Sequence, residues 1–167
     1  MLNYAGFANW TVSNGTVDLI GNGYFDFQPG NGLYVDMDGS TGNAGKMSHS
    51  FNLAPGQYTL SYQLAGNHRN WSEEWVDVLV GLGPLVNASH SLSRSTPFTT
   101  FFNQFSVGTQ TAATLSFEGR GGDNIGMLLD NVRLEKTDPV PEPPTLVLLA
   151  TGVFGLAGMA RRKKKSS

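Results

Sequence analysis

Prolines at 141, 143 and 144 divide this chain of 167 residues into two parts that share neither a helix nor an inner strand. Each ring fixes φ, removes a backbone donor and pushes the preceding residue out of the α region. The segment is therefore a stiff, extended spacer. After it, residues 145–160 read T-L-V-L-L-A-T-G-V-F-G-L-A-G-M-A, without a charge. As a helix this run would reach roughly 24 Å, against about 30 Å for a hydrocarbon core. Flanking residues or local thinning close that gap at modest cost. Arg161, Arg162, Lys163, Lys164 and Lys165 follow as a basic stop. Such a block stays in the cytoplasm and leaves the bulk of the chain across the membrane. A buried core helix rarely needs five consecutive cations. Gly152, Gly155 and Gly158 are also weak helix material in water and better tolerated in a membrane. The expected division is a body over 1–139 and a tail over 140–167.

Val140, Pro141, Glu142 and Pro143, then a short apolar span, then a terminal Arg/Lys cluster, resemble the PEP-CTERM sorting signal. The resemblance covers the tail alone. It implies a Gram-negative host that makes extracellular polymer, and recognition by an exosortase, a membrane cysteine transpeptidase-like enzyme, with processing near Pro-Glu-Pro. The inner membrane is then a transient station. The mature protein goes to the cell envelope, surface or matrix, where exopolysaccharide is the expected partner. The alternative is a permanently tail-anchored envelope protein that keeps its helix. PEP-CTERM proteins ordinarily carry an N-terminal signal peptide. Met1-Leu2-Asn3-Tyr4 has neither a basic nor an apolar leader region, so the reading places the true start upstream.

The body is one domain's worth of chain and is long enough to bury a core. Up to Pro139 it holds twelve acidic and six basic residues, a balance of −6 that the tail hides in the whole-chain −2. That balance excludes nucleic acid as the expected partner. The chain has no cysteine, which removes disulfides, thiolate catalysis and cysteine-ligated zinc.

Abundant Gly, Asn, Ser and Thr point to short strands with many turns. Strand-length runs stand at 16–20, 24–28 and 33–37 between glycine-rich turns. Tyr58, Leu60, Tyr62 and Leu64 alternate with polar residues, as in a half-buried antiparallel strand. Residues 76–82 are apolar on both faces. In 98–107, Phe101, Phe105 and Val107 share a face while Phe102 points the other way. Ala113, Leu115 and Phe117 repeat the alternation, and 127–134 closes the set. With no convincing amphipathic helix in the body, the expected fold is all-β: a two-sheet antiparallel jelly-roll-like sandwich, followed by a C-terminal hydrophobic helix.

Residues 68–75 form the most chemically varied loop. His68, Arg69, Trp71 and Trp75 offer stacking surfaces beside polar donors, the combination a sugar-binding surface needs. The competing account is that the two tryptophans cap the core. The run 36–42 tempts a calcium reading but fails as an EF-hand, with Thr41 where glycine belongs and Met47 where the bidentate Glu belongs. A turn in which Asp side chains bond their own backbone explains it as well. By period two, Asp130 falls on the face of Leu128, Val132 and Leu134, where a carboxylate needs donors or a cation. The L-D-N-V-x-L ending resembles the closing strand of galactose-binding-like jelly rolls and carbohydrate-binding modules. That resemblance implies a structural calcium near Asp130; only Asp130 carries over from it, Asp38 is a speculative second ligand, and no other cofactor is expected.

No catalytic set emerges. His49, His68 and His90 lack zinc spacing, and no Gly-x-Ser-x-Gly elbow is present. A glycosidase pair would have to be assembled across strands. The expectation is a non-enzymatic glycan-binding or structural protein, with a glycan-acting hydrolase or lyase as the alternative.

Overall fold

Alternating apolar and polar runs, cut by glycine and proline turns, pair into ten strands among the described residues. The computed structural model describes residues 1–69 and 75–137, and for 75–80 the backbone alone. The strands are β1 (Thr11–Ser13), β2 (Asp18–Gly21), β3 (Leu33–Asp36), β4 (Lys46–Leu53), β5 (Gly56–Ala65), β6 (Trp75–Leu82), β7 (Val86–Ser93), β8 (Thr99–Val107), β9 (Thr111–Arg120) and β10 (Leu128–Thr137). They form two five-stranded sheets, β1-β4-β9-β6-β7 and β2-β3-β10-β5-β8, with every strand pair antiparallel. This is the expected sandwich. Residues 1–137 make up one compact unit. The apolar helix expected over 145–160 lies outside the described residues.

The pleat decides what is inside. On β5, Tyr58, Leu60, Tyr62 and Leu64 are buried between the sheets, and Thr59, Ser61 and Gln63 turn outward. From β9, Ala113, Leu115 and Phe117 meet them, with Met47 and Leu53 of β4 and Phe105 and Val107 of β8. A polar bridge crosses this core. The Tyr62 hydroxyl lies 2.7 Å from His90 Nε2 on β7 and accepts from the Asn103 amide at 3.1 Å. Burial lowers the His90 pKa and favours the neutral ring. His49 is half-buried against Phe51 and Trp10.

A second, smaller cluster sits on the other side of the second sheet. Ile20, Tyr34, Ala65 and Leu128 are buried there under Phe27 and Phe98. This corrects one expected strand. Residues 24–28 form a loop that folds over the sheet, with the Gln28 N–H donating to the Tyr34 hydroxyl at 2.9 Å. Their aromatic content covers an apolar patch instead of extending a ladder. Two strands were not anticipated. β1 has three residues, and β7 (V-N-A-S-H-S-L-S) carries too little apolar bulk to stand out.

The edge of β2 is covered by the chain's first residues. Leu19 N–H donates to the Met1 carbonyl at 2.9 Å, and Tyr4 N–H to Val17 at 2.8 Å. Pairing an edge in this way removes a template for aggregation.

Candidate functional site

Two places in the body gather polar chemistry. The first is the end of the sandwich where β2 starts and β3 and β5 finish. Asp18, Asp36, Asp38 and Asn67 are all buried there. Each carboxylate is held by named donors. Asp18 accepts the Asn3 N–H at 2.6 Å and the Ser40 hydroxyl at 2.7 Å. Asp36 accepts the Asp38 N–H at 3.1 Å and the Asn67 amide at 2.9 Å, with the Arg69 guanidinium 3.5 Å away. Asp38 accepts the Gly122 N–H at 2.8 Å. Burial pushes the Asp36 pKa up to about 7, against the pull of those donors and of Arg69. Backbone space is equally tight. A Cβ at Gly126 would fall 2.1 Å from the Asp38 nitrogen and 2.2 Å from Asp36 Oδ1.

Arg69 is committed at this end. It donates to the Asn124 carbonyl, and its Cζ lies 5.3 Å over the Phe27 ring. His68 beside it is exposed, with φ 61° and its N–H bonded to the Arg94 carbonyl. Of the expected sugar-binding set, the structure places His68 and Arg69 together. Trp71 and the side chain of Trp75 lie outside the described residues. The cleft at this end, lined by Asp18, Phe25, Phe27, Asp36, Ser40 and Arg69, measures about 40 Å³. That holds a few waters and not a sugar ring.

The second place is made by a bulge in β10. Its register with β5 slips by one residue between Asp130 and Arg133. Asn131 takes φ 50°, a left-handed conformation that asparagine tolerates. The bulge breaks the simple alternation. Leu129, Val132 and Leu134 meet the main core, whereas Leu128 belongs to the outer cluster. Asp130 therefore shares the outer face with Leu128 and not the inward face of Val132 and Leu134. It accepts the Asn131 N–H at 2.7 Å, and burial raises its pKa. The Asn131 amide donates to Gln63 Oε1 at 2.7 Å, and Gln63 donates to Thr100 Oγ1 at 3.2 Å. A hydrogen-bonded row thus crosses β10, β5 and β8. Ser61, Gln63, Thr100, Asn131 and Arg133 line a depression of about 250 Å³ on this outer face. Phe102, 68% exposed, stands directly opposite Ser61 at its side. Sequence reasoning noticed Phe102 only as out of phase with its strand. The amides are brought beside it by pairing alone.

The calcium expectation meets this geometry as follows. Asp130 sits across from Gln63, two residues along β10 from Leu128, which pairs with Asp36. One oxygen each of Asp38 and Asn67 is buried without a donor. Even so, among the described residues no group of three or more His, Asp or Glu is arranged to hold a metal.

Known structures place the body. Its fold is similar to TmCBM61 in complex with beta-1,4-galactotriose, at 13% identity and TM-score 0.59, over 80% of this chain and 92% of that one. It is similar to a family 35 carbohydrate binding module from Clostridium thermocellum, at 13% identity and TM-score 0.50, over 82% and 98%. A third is the CBM22-1 xylan-binding domain from Paenibacillus barcinonensis Xyn10C, at 14% identity and TM-score 0.51, over 83% and 92%. No curated protein matches by sequence. Residues 139–164 match the PEP-CTERM protein-sorting motif. The chain is a jelly-roll sandwich of the kind seen in carbohydrate-binding modules, carrying a PEP-CTERM sorting signal at its C-terminal end.

Proposed function

We propose that this protein is exported, sorted by an exosortase, and bound to glycan or exopolysaccharide at the cell surface or in the matrix. One observation carries the reading: a carbohydrate-binding-module sandwich and a PEP-CTERM motif occur in one chain. The body over 1–139 is the working part. The tail over 140–167, with Val140, Pro141, Glu142 and Pro143 as its recognition motif and Arg161 to Lys165 as its stop, is the address. The inner membrane is a transient partner before processing.

The role is binding and not catalysis. Supporting this reading, the Asp18 and Asp36 carboxylates that share a cleft are already engaged by the Asn3 and Asp38 N–H groups, the Ser40 hydroxyl and the Asn67 amide. Surface plasmon resonance against polymer extracted from an exosortase-bearing host tests the reading. Binding that free monosaccharide fails to compete, but that polymer fragments do, is the expected result. No binding to any extracellular polymer would leave only a structural role.

A further inference from the structure

We infer that the outer face of β8, β5 and β10, from Phe102 across Ser61 and Gln63 to Asn131 and Arg133, is a platform for a neutral polysaccharide. The inference rests on the glycan-binding reading above and adds the place and the ligand class.

A single exposed phenylalanine needs no explanation on its own. This one stands in a particular setting. Phe102, Ser61 and Arg133 lie directly opposite one another on three adjacent strands, and Thr100, Gln63 and Asp130 form the next row. Three strands at about 4.8 Å spacing span roughly 10 Å, about the length of a disaccharide. Phe102 offers a flat apolar surface for one face of a pyranose. The amides and hydroxyls beside it offer both donors and acceptors for ring hydroxyls. They are already ordered: Asn131 bonds Gln63, and Gln63 bonds Thr100. Little side-chain freedom remains to be lost on binding. The bulge that turns Asn131 onto this face is the kind of local irregularity that re-aims a side chain at a site.

Charge selects the polymer. The Arg133 side chain makes no hydrogen bond or ion pair among the described residues, but Glu135 follows on the same face and Asp130 adjoins the row. The body as a whole stands at −6. A uronate-bearing chain would be repelled on approach, and a neutral one would not. The opposite outer face differs. It presents Ser48, Ser50, Asn52, Thr114 and Ser116 from β4 and β9.

Affinity electrophoresis of the full chain in detergent micelles tests this. The gels contain β-1,4-galactan, xyloglucan or galactomannan as neutral polymers, and alginate or polygalacturonate as acidic ones. Retardation by a neutral polymer is expected. Phe102→Ala and Gln63→Ala should each weaken it about tenfold. Phe102→Trp should restore it, and Thr114→Ala on the other sheet should leave it unchanged. If the wild type is retarded but Phe102→Ala is retarded equally, the platform is wrong and the glycan-binding reading stands. Retardation by the acidic polymers alone overturns the ligand class. No retardation in any gel overturns both the platform and the reading beneath it.

Discussion

At Asp36 the fold accepts an acid where water hardly reaches, 1% exposed. Its folded pKa of about 7 lies above the ordinary 3.8. Well below pH 3.8 the group is neutral in both the folded and unfolded chain and costs nothing. As pH rises towards 7 the unfolded chain ionises first, so stability falls by an amount on the order of 4 kcal/mol at the upper end. Asp130, also raised, acts with the same sign, whereas His90, lowered, takes stability away as pH drops below its ordinary 6.5. The difference between wild type and Asp36→Asn isolates the one group. Thermal melts should show the variant's advantage growing from pH 4 to pH 7.5; a constant gap would mean that Arg69 keeps Asp36 ionised throughout. The same crowded end makes Gly126 indispensable. Gly126→Ala forces a methyl into the Asp36–Asp38 contacts and should cost about 2–4 kcal/mol in urea unfolding. Gly42→Ala, with nothing within 4 Å of the new carbon, should cost under about 0.5 kcal/mol.

At the scale of elements, the two sheets are joined through more than apolar contact. Tyr62 of β5 reaches His90 of β7 across the core. Tyr62→Phe leaves His90 and Asn103 without that partner and should cost about 1–2 kcal/mol. β5 was legible in the sequence because Tyr58 to Leu64 keep one phase and turns bound them on both sides. The same rule misread 24–28, where Tyr24, Phe25 and Phe27 serve a loop that covers Tyr34 and Leu128. Local composition does not say whether aromatic residues sit in a ladder or on top of one. β10 shows a further limit. Its closing pattern was recognised, yet one bulged residue reversed the side on which Asp130 stands. The polar row beside Phe102 was illegible for a related reason: Gln63 and Asn131 meet 68 positions apart in the chain. Asp36 likewise needs Asn67, 31 positions on, to be held at all.

For the whole molecule, the charge is divided as sharply as the fold. The body stands at −6 up to Pro139, and five consecutive cations end the tail. A retained apolar run with that stop would hold the sandwich at the inner membrane, whereas its loss frees the same sandwich to reach a polymer. On the proposed reading, processing near Pro141–Pro143 is the event that decides where binding can take place. In an exosortase-bearing host, mass spectrometry of the mature protein should find a C-terminus near these prolines and no peptide containing Arg161 to Lys165. Pro141→Ala together with Glu142→Ala should keep the full tail and move the protein into the membrane fraction, without altering the melting of the body. A host lacking the exosortase should reproduce that outcome with the wild-type chain. Mature wild-type protein that still carries Arg161 to Lys165 in the first host would mean a permanent anchor. In that case the platform on β8, β5 and β10 would have to meet its polymer within reach of the membrane.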